Sequence, residues 1–99
     1  MAGENRLVLH GKLIELDALR HTPAGVPILK FRVGHESGQT EAGGERRVSC
    51  EVACVAFERE ARLLASAVLG SEMTVSGFIE RKGRTSSQLV LHATHIEFA

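Results

Sequence analysis

The chain lacks tryptophan and tyrosine altogether, and four phenylalanines are its only large aromatic residues. It also lacks net charge, because 12 basic and 12 acidic residues cancel. Binding of nucleic acid through bulk charge is therefore excluded, and any such binding must come from local clusters of cations. No apolar run approaches the roughly 20 residues that span a bilayer. The first residues lack the basic and apolar regions of a signal peptide, so we expect a cytoplasmic protein without membrane contact.

The sequence also lacks the motifs on which catalysis and metal binding usually rest. Its five histidines show no HExxH spacing, and there is no CxxC pair, GxSxG elbow or Walker glycine-lysine loop. His92 and His95 lie three apart on a predicted strand, which would place them on opposite faces. We therefore expect no enzymatic activity, no metal and no cofactor.

Cys50 and Cys54 are the only cysteines. Four apart on one strand, they would share a face but lie ~13 Å apart at ~3.3 Å per residue, too far for a disulfide. They are predicted to be buried free thiols.

With 43% apolar residues, the 99-residue chain predicts one globular domain, residues 1–99. Residues 5–16 predict a long first strand whose inward face changes partway along. Its apolar residues fall into two phases, Leu7, Leu9 and Leu13 in the first and Ile14 and Leu16 in the second. A bulge or bend costs little free energy at Gly11, which lies just before this slip. A strand bent in this way can pair with two sheets, as closure of a small barrel requires.

Four further strands and one helix follow from alternation and helical periodicity. The strands are predicted at residues 26–35, 46–57, 71–80 and 88–98. The helix is predicted at about residues 58–69, with the apolar stripe Ala61, Leu64, Ala65 and Val68 and a stop at Gly70. Pro23 and Gly25 predict a type II turn, Gly77 a second bend, and the glycine-rich residues 36–45 a mobile hairpin loop. This order describes an all-β OB-fold, a five-stranded Greek-key barrel with one helix between strands three and four.

OB-folds bind oligonucleotides on the face of strands two and three and with the loops that join strands one to two and four to five. Seven cations occupy these places: Lys30, Arg32 and Arg47 on the strands, and Arg20, Arg81, Lys82 and Arg84 in the loops. Because cations neutralise phosphates, these residues are predicted to bind nucleic acid. For Lys30 and Arg32 an ordinary solvated strand face is an equally good interpretation.

Single-strand binders also present aromatic side chains on which bases stack. Phe31 lies in the core phase of its strand, and Phe57 and Phe98 lie at strand ends. Phe78 is out of phase with its strand and is therefore the candidate stacking residue. The alternative is that Phe78 packs against a neighbouring side chain or a partner subunit.

A series of short motifs, in a consistent order, spans nearly the whole chain. They are Asn-Arg-Leu-Val-Leu at 5–9 with Gly11 following, the Pro23-x-Gly25-x-Pro27 turn, Phe31 with His35, Glu-Ala-Gly at 41–43, Cys50, Thr-Val-x-Gly-Phe-Ile at 74–79, Leu-Val-Leu-His-Ala at 89–93, and Ile-Glu at 96–97. In these motifs the chain resembles the bacterial primosomal replication protein N (PriB) family, small OB-fold relatives of single-stranded DNA-binding protein.

The resemblance implies a homodimer that binds single-stranded DNA without sequence preference. It further implies a role in DNA replication restart, bridging the PriA helicase to later primosome proteins. Ser49 and Gly44 stand where well-studied members have a tryptophan and a phenylalanine, and Glu36 and Gln88 replace cations. Since each lost stacking contact weakens binding by at least ~1 kcal/mol, we expect weak DNA binding.

Two other interpretations stay open beside this one. The first is a protein adaptor with little direct DNA binding, which the zero net charge favours. The second is a tetrameric single-stranded DNA-binding protein. The absence of a flexible acidic tail in the sequence up to Ala99 argues against it.

Overall fold

Five long strands close into a barrel whose end is covered by one short helix. The computed structural model describes residues 3–99. The strands are β1 (Leu7–Leu16), β2 (Arg20–His21), β3 (Pro27–Glu41), β4 (Gly44–Phe57), β5 (Glu72–Arg81) and β6 (Leu89–Phe98), with the helix α1 (Glu58–Ala65) between β4 and β5. The order around the barrel is β1-β5-β6-β4-β3, and β1 also pairs with β3, which closes it. The predicted OB-fold is confirmed, and the two-residue β2 is a short addition beside β3.

β1 is shared between the two halves of the barrel, as its sequence predicts. Residues 7–12 pair with β5, and the strand pairs with β3 from Lys12 onwards. The predicted slip is confirmed at Ile14, where the register with β3 shifts between Leu13 and Glu15. Gly11 has a different role, since a side chain there would overlap the backbone of Gly34 on β3. Only glycine allows the two strands to pass this closely.

A second bulge lies on β6, opposite the predicted bend at Gly77. Ser76 pairs with His95 and Gly77 with Ala93, so Thr94 is the extra residue. The bulge explains how Leu91, Ala93 and Ile96 are all buried although their spacing changes from two to three. It also returns His92 and His95 to the same outer face, so the prediction of opposite faces is wrong. The His95 ring instead contacts the Glu97 carboxylate at 2.9 Å.

The predicted mobile loop at residues 36–45 is not a loop. β3 and β4 stay paired out to Glu41 and Gly44, and only Ala42 and Gly43 form the turn. Both turn residues have positive φ, 52° and 79°, as a type I′ hairpin turn requires. We call the paired residues 36–49 the hairpin arm. Neither face of the arm is buried in the core, so its sequence is polar and shows no apolar alternation. The strands could therefore not be predicted from periodicity.

α1 ends at Ala65, four residues before the predicted end at position 69. Ala61 and Leu64 are buried against the barrel, whereas Val68 is 71% exposed. The chain must turn back towards β5, and Gly70, at φ 92°, donates its N–H to the Leu13 carbonyl at 2.7 Å. The predicted apolar stripe is therefore buried only at Ala61 and Leu64, whereas Ala65 and Val68 are exposed.

Two smaller expectations also need correction. The turn after β2 closes with the Gly25 N–H donating to the Thr22 carbonyl at 2.8 Å. The positive φ is at Gly25, the fourth residue of that turn, whereas a type II turn needs it at the third.

Cys54 is buried as predicted, but Cys50 is exposed because it sits where β4 leaves the barrel for the hairpin arm. Within residues 3–99, no helix has the length and apolarity needed to cross a membrane.

Candidate nucleic-acid interface

The strand register arranges the outward side chains of the barrel in rows that cross several strands. Residues paired directly across a ladder point to the same face of the sheet. The central row is Lys30, Val55, His92 and Phe78, on β3, β4, β6 and β5. The rows beside it are Arg20, Ile28 and Phe57 on one side and Glu15, Arg32 and Ala53 on the other. Their sequence neighbours Phe31, Cys54 and Leu91 fill the core, so these rows lie on the outside.

These rows enclose a depression of about 340 Å³, which we call the outer groove. This volume lies within the range of small-ligand sites, ~300–1,000 Å³. Its floor is largely apolar and its rim is charged. The floor includes Ile28, Val55, Phe57, Val90 and His92, and the charged residues are Glu15, Asp17, Lys30, Arg32 and Lys82.

Three of the predicted cations meet at the outer groove although they come from two distant segments. Lys30 and Arg32 reach it because alternation along β3 turns them away from buried Leu29, Phe31 and Val33. Lys82 reaches it from the loop between β5 and β6. The Lys82 N–H donates to the Gln88 carbonyl at 2.8 Å, which closes that loop at its base.

The other four predicted cations lie outside the outer groove. Arg20 pairs with Ile28 and so sits at its margin. Arg47 lies on the hairpin arm, in a separate depression that it shares with Arg46, Glu36 and Glu45. Arg81 donates from Nη1 to the Arg84 carbonyl at 3.1 Å, so this side chain is held within its own loop. The structure thus separates residues that the sequence grouped together.

Two carboxylates partly offset the cations of the outer groove. Glu15 lies 3.2 Å from the Arg32 guanidinium, and both side chains remain substantially exposed. An ion pair this exposed contributes little to stability, so the Arg32 guanidinium is not tied to Glu15. Asp17 lines the same groove. The outer groove therefore has only a modest excess of positive charge.

Three rings lie nearly parallel, with Phe57 and His92 in the lining of the outer groove and Phe78 beside it. Phe78 stacks on His92 with centroids 4.9 Å apart and planes at 12°, and Phe57 stacks on His92 at 6.1 Å and 15°. We call these residues the ring row. Phe57 is 38% exposed and Phe78 36% exposed. The alternative for Phe78, packing against a neighbouring side chain, is therefore confirmed, and its ring also presents surface to solvent.

Sequence reasoning missed Phe57 and His92, although their phase carries a signal. Phe57 follows buried Ala56, and His92 lies between buried Leu91 and Ala93, so alternation alone turns both outward. Phe57 is also the last residue of its strand. Directly after it, Glu58 has φ 57°, a sharp left-handed turn that ends β4 and begins α1. Phe57 is thereby fixed at the end of β4.

Cys54 lies directly beneath the outer groove. Burial raises the pKa of its thiol to about 12, against a smaller opposing effect of the Arg32 guanidinium. The thiol is therefore protonated at neutral pH, and this cysteine is unsuited to act as a nucleophile.

Comparison with known proteins agrees with these observations. Residues 5–95 match the model of a family described as another single-strand binding protein family. The chain is 39% identical over 88 residues to the replication restart protein PriB of Nitrosomonas europaea, covering 89% of this chain and 82% of that protein. This chain belongs to the PriB family. The resemblance seen in its sequence motifs is confirmed.

Solved structures show the same PriB barrel. The structure of PriB from Ralstonia solanacearum matches with a TM-score of 0.90 at 30% identity, covering 97% of this chain and 98% of that one. A deletion mutant of the single-stranded DNA binding protein from Thermus aquaticus matches with a TM-score of 0.78 at 26% identity, covering 98% of this chain and 51% of that one. The PriB barrel and the single-strand-binding barrel are thus one architecture over nearly the whole length of this chain.

Proposed function

We propose that this PriB-family protein is an accessory factor of DNA replication restart that binds single-stranded DNA in the outer groove. The observation that carries the proposal is the meeting of Lys30, Arg32 and Lys82, from two distant segments, around an apolar floor. Single-strand binders combine a cationic groove for the backbone with apolar and aromatic surface for the bases. The names of the relatives, a replication restart protein and a single-stranded DNA binding protein, support the same conclusion.

The charges of the outer groove favour weak binding without sequence preference. Long cationic side chains contact phosphates, which carry no sequence information. Glu15 and Asp17 repel a polyanion from the same groove, and the chain as a whole has no net charge to attract one. We propose that the protein acts in the cytoplasm, on single strands that are already exposed at a stalled replication fork.

The test is a fluorescence-anisotropy titration of a labelled oligodeoxythymidine over a salt series. The wild type is expected to bind with a clear negative salt slope. The triple variant Lys30→Ala, Arg32→Ala and Lys82→Ala is expected to flatten that slope by about 2, since each phosphate contact contributes ~0.7 on a single strand. Its affinity at low salt is expected to fall roughly tenfold or more as three charge contacts are lost.

A charge-matched variant distinguishes direct contact of DNA with the groove cations from an effect of the total charge of the protein. Arg6→Ala, Lys12→Ala and Arg62→Ala removes the same charge, from residues that do not line the outer groove. This control is expected to bind nearly as the wild type does. A second triple variant, at Arg81, Lys82 and Arg84, tests the loop and is expected to lose only the contact of Lys82. If the matched control weakens binding as much as the groove variant, the groove is not the site. If the wild type shows no binding at low salt, the adaptor interpretation replaces this one.

One edge of β1 is unpaired among residues 3–99, and this supports assembly of the protein as a homodimer. Residues 7–11 pair with β5 on one side, and pairing with β3 begins only at Lys12. The His10 carbonyl accepts a hydrogen bond from His35 Nδ1–H at 2.6 Å, and the Ser37 hydroxyl donates to Nε2 of the same ring at 2.8 Å. The unpaired edge is therefore short and includes Val8, which is 61% exposed. Such an edge readily accepts a strand from a second chain.

Light scattering after size exclusion tests this assembly. Val8→Lys is expected to shift the mass from dimer towards monomer, because edge lysines oppose strand pairing. We propose further that the dimer bridges the PriA helicase to later primosome proteins. Binding of labelled PriA to the groove variant and to the Val8→Lys variant separates a contact that shares the DNA groove from one that needs the dimer. Absence of PriA binding to the wild type would contradict the bridge.

A further inference from the structure

The imidazole ring of His92 has a polar edge that the rest of the fold leaves unused. His92 lies on β6, lines the outer groove and is half-buried. The rings of Phe57 and Phe78, from the strands on either side, stack on it at centroid distances of 6.1 and 4.9 Å. Stacking of this kind covers the faces of a ring but not its rim. The two ring nitrogens, Nδ1 and Nε2, are therefore the part of His92 that stays available to other groups.

Neither ring nitrogen of His92 has a hydrogen-bond partner among residues 3–99, although most of the other histidines have one. The rings of His10, His35 and His95 each contact a hydroxyl, carbonyl or carboxylate oxygen within 3.2 Å. No buried side-chain nitrogen or oxygen in the described part of the chain lacks a partner, so the nitrogens of His92 reach solvent. His21 also has no partner within residues 3–99, but it does not line the outer groove.

The charged groups around His92 come from several neighbouring elements, whereas β4 presents the uncharged Val55 and Phe57. Cations and carboxylates face this side of the barrel in nearly equal number: Arg20 on β2, Lys30 and Arg32 on β3, Lys82 after β5, Glu80 on β5, and Glu15 and Asp17 at the end of β1. Further along β6, His95 is paired with Glu97. Phosphates that enter the outer groove change this balance, since they place an anion beside His92. A nearby anion favours the charged form of an imidazole.

We propose that His92 is a proton-linked contact for single-stranded DNA. Its protonated ring donates an N–H to a phosphate oxygen, so that DNA binding takes up a proton from the buffer and becomes tighter as the pH falls. Histidine suits this role because its charge changes between about pH 5 and 8, whereas lysine and arginine keep theirs over that range. This inference rests on the proposed function and adds to it a further binding residue and a dependence on pH.

The experiment measures the affinity for a labelled oligodeoxythymidine at pH 8 and at pH 5.5, at constant ionic strength. Circular dichroism at each pH shows that the protein is folded. Neither thymine nor the phosphodiester titrates in this range, so a change in affinity comes from the protein. The wild type is expected to bind roughly three- to tenfold more tightly at pH 5.5, because one more cation contacts the phosphates. Its salt slope is expected to steepen by about 0.7 for the same reason.

Four variants assign the effect to one residue. His92→Gln keeps a polar side chain that cannot take up a proton, and it is expected to lose most of the difference between the two pH values. His92→Lys is expected to bind more tightly than the wild type at pH 8, because it carries a charge there. His21→Gln and His95→Gln are the matched controls. Each removes a histidine that does not line the outer groove and is expected to keep the wild-type dependence on pH.

Two further measurements detect the proton itself. Calorimetry at pH 6.5 in two buffers of different ionisation enthalpy is expected to show uptake of part of a proton by the wild type and clearly less by His92→Gln. Proton NMR of the wild type decides the matter if the His92 variants fail to fold. The ring C–H signal of His92, identified by its contacts with Phe78, is expected to titrate at a higher pH after DNA is added. An unchanged titration of this signal would overturn the proposal.

The outcomes separate this inference from the proposed function. Wild-type binding that is equally tight at both pH values would overturn the proton-linked contact and leave the proposed function standing. A pH dependence that persists in folded His92→Gln, or that His21→Gln removes equally well, would also overturn it, since the effect would then belong to the total charge of the protein. If the wild type binds at neither pH at low salt, both this inference and the proposed function fail.

Discussion

Gly77→Ala is expected to destabilise the barrel by on the order of 3 kcal/mol, the upper end of the cost of overpacking a protein interior. A Cβ at this position would overlap the His92 carbonyl and come within 3.2 Å of the Thr94 nitrogen. Both obstacles are backbone, so neither can swing away as a long side chain would. They also flank the bulge at Thr94, whose geometry sets the phase of the second half of β6. Against a total stability of ~5–15 kcal/mol, such a loss is large.

Urea unfolding followed by circular dichroism measures this difference. Gly83→Ala is the matched control, since a Cβ there meets nothing within 4 Å and its φ is not positive. It is expected to leave the midpoint unchanged or to raise it slightly, because alanine reduces the freedom of the unfolded chain. Equal midpoints for Gly77→Ala and the wild type would show that β5 and β6 can separate at this point, contrary to the tight approach described here.

The second large effect is expected in thiol reactivity. Cys50 is exposed and Cys54 buried. In the native protein at pH 8, Cys50 is expected to react promptly with a disulfide reagent such as DTNB. Cys54 is expected to react more slowly by a factor on the order of 10³ or more, because it must wait for opening of the core. Cys50→Ser should remove the fast phase and Cys54→Ala the slow one. A fast reaction of both thiols in the folded protein would contradict the placement of Cys54.

The raised pKa of Cys54 adds a dependence of stability on pH. The thiol titrates near 9.0 when unfolded and at about 12 when folded. Below pH 9 both states hold the proton, so this group adds no pH dependence. Between pH 9 and 12 the unfolded state loses the proton first, which favours unfolding and lowers stability as pH rises. Cys54→Ala is expected to remove this part of the alkaline loss of stability, measured by urea unfolding across that pH range.

The barrel could be predicted because its buried residues recur at the regular spacing of strands and of a helix. Alternation along β3 and the change of phase in β1 each depend on neighbouring residues, and both mark which side chains lose contact with water. The bulge in β6 was not predicted, although the change of spacing from Leu89, Leu91 and Ala93 to Ile96 and Phe98 is a signal of it. The hairpin arm could not be predicted in this way. Its strands are held by backbone pairing to each other, and no buried face imposes a pattern on the side chains.

The sequence by itself therefore determined the OB-fold, the PriB resemblance and which cations face outward. Only the tertiary structure decided which of those cations share a site. Lys30 and Lys82 are 52 positions apart and meet because β3, β4 and β6 are neighbours in the barrel. The Arg81 side chain, next to Lys82 in sequence, is held elsewhere by a hydrogen bond to the Arg84 carbonyl. The ring row arises in the same way, from three strands that are distant in the chain. Periodicity fixes the face of a strand on which a residue lies, but its neighbours on that face depend on strand order and register, which are non-local.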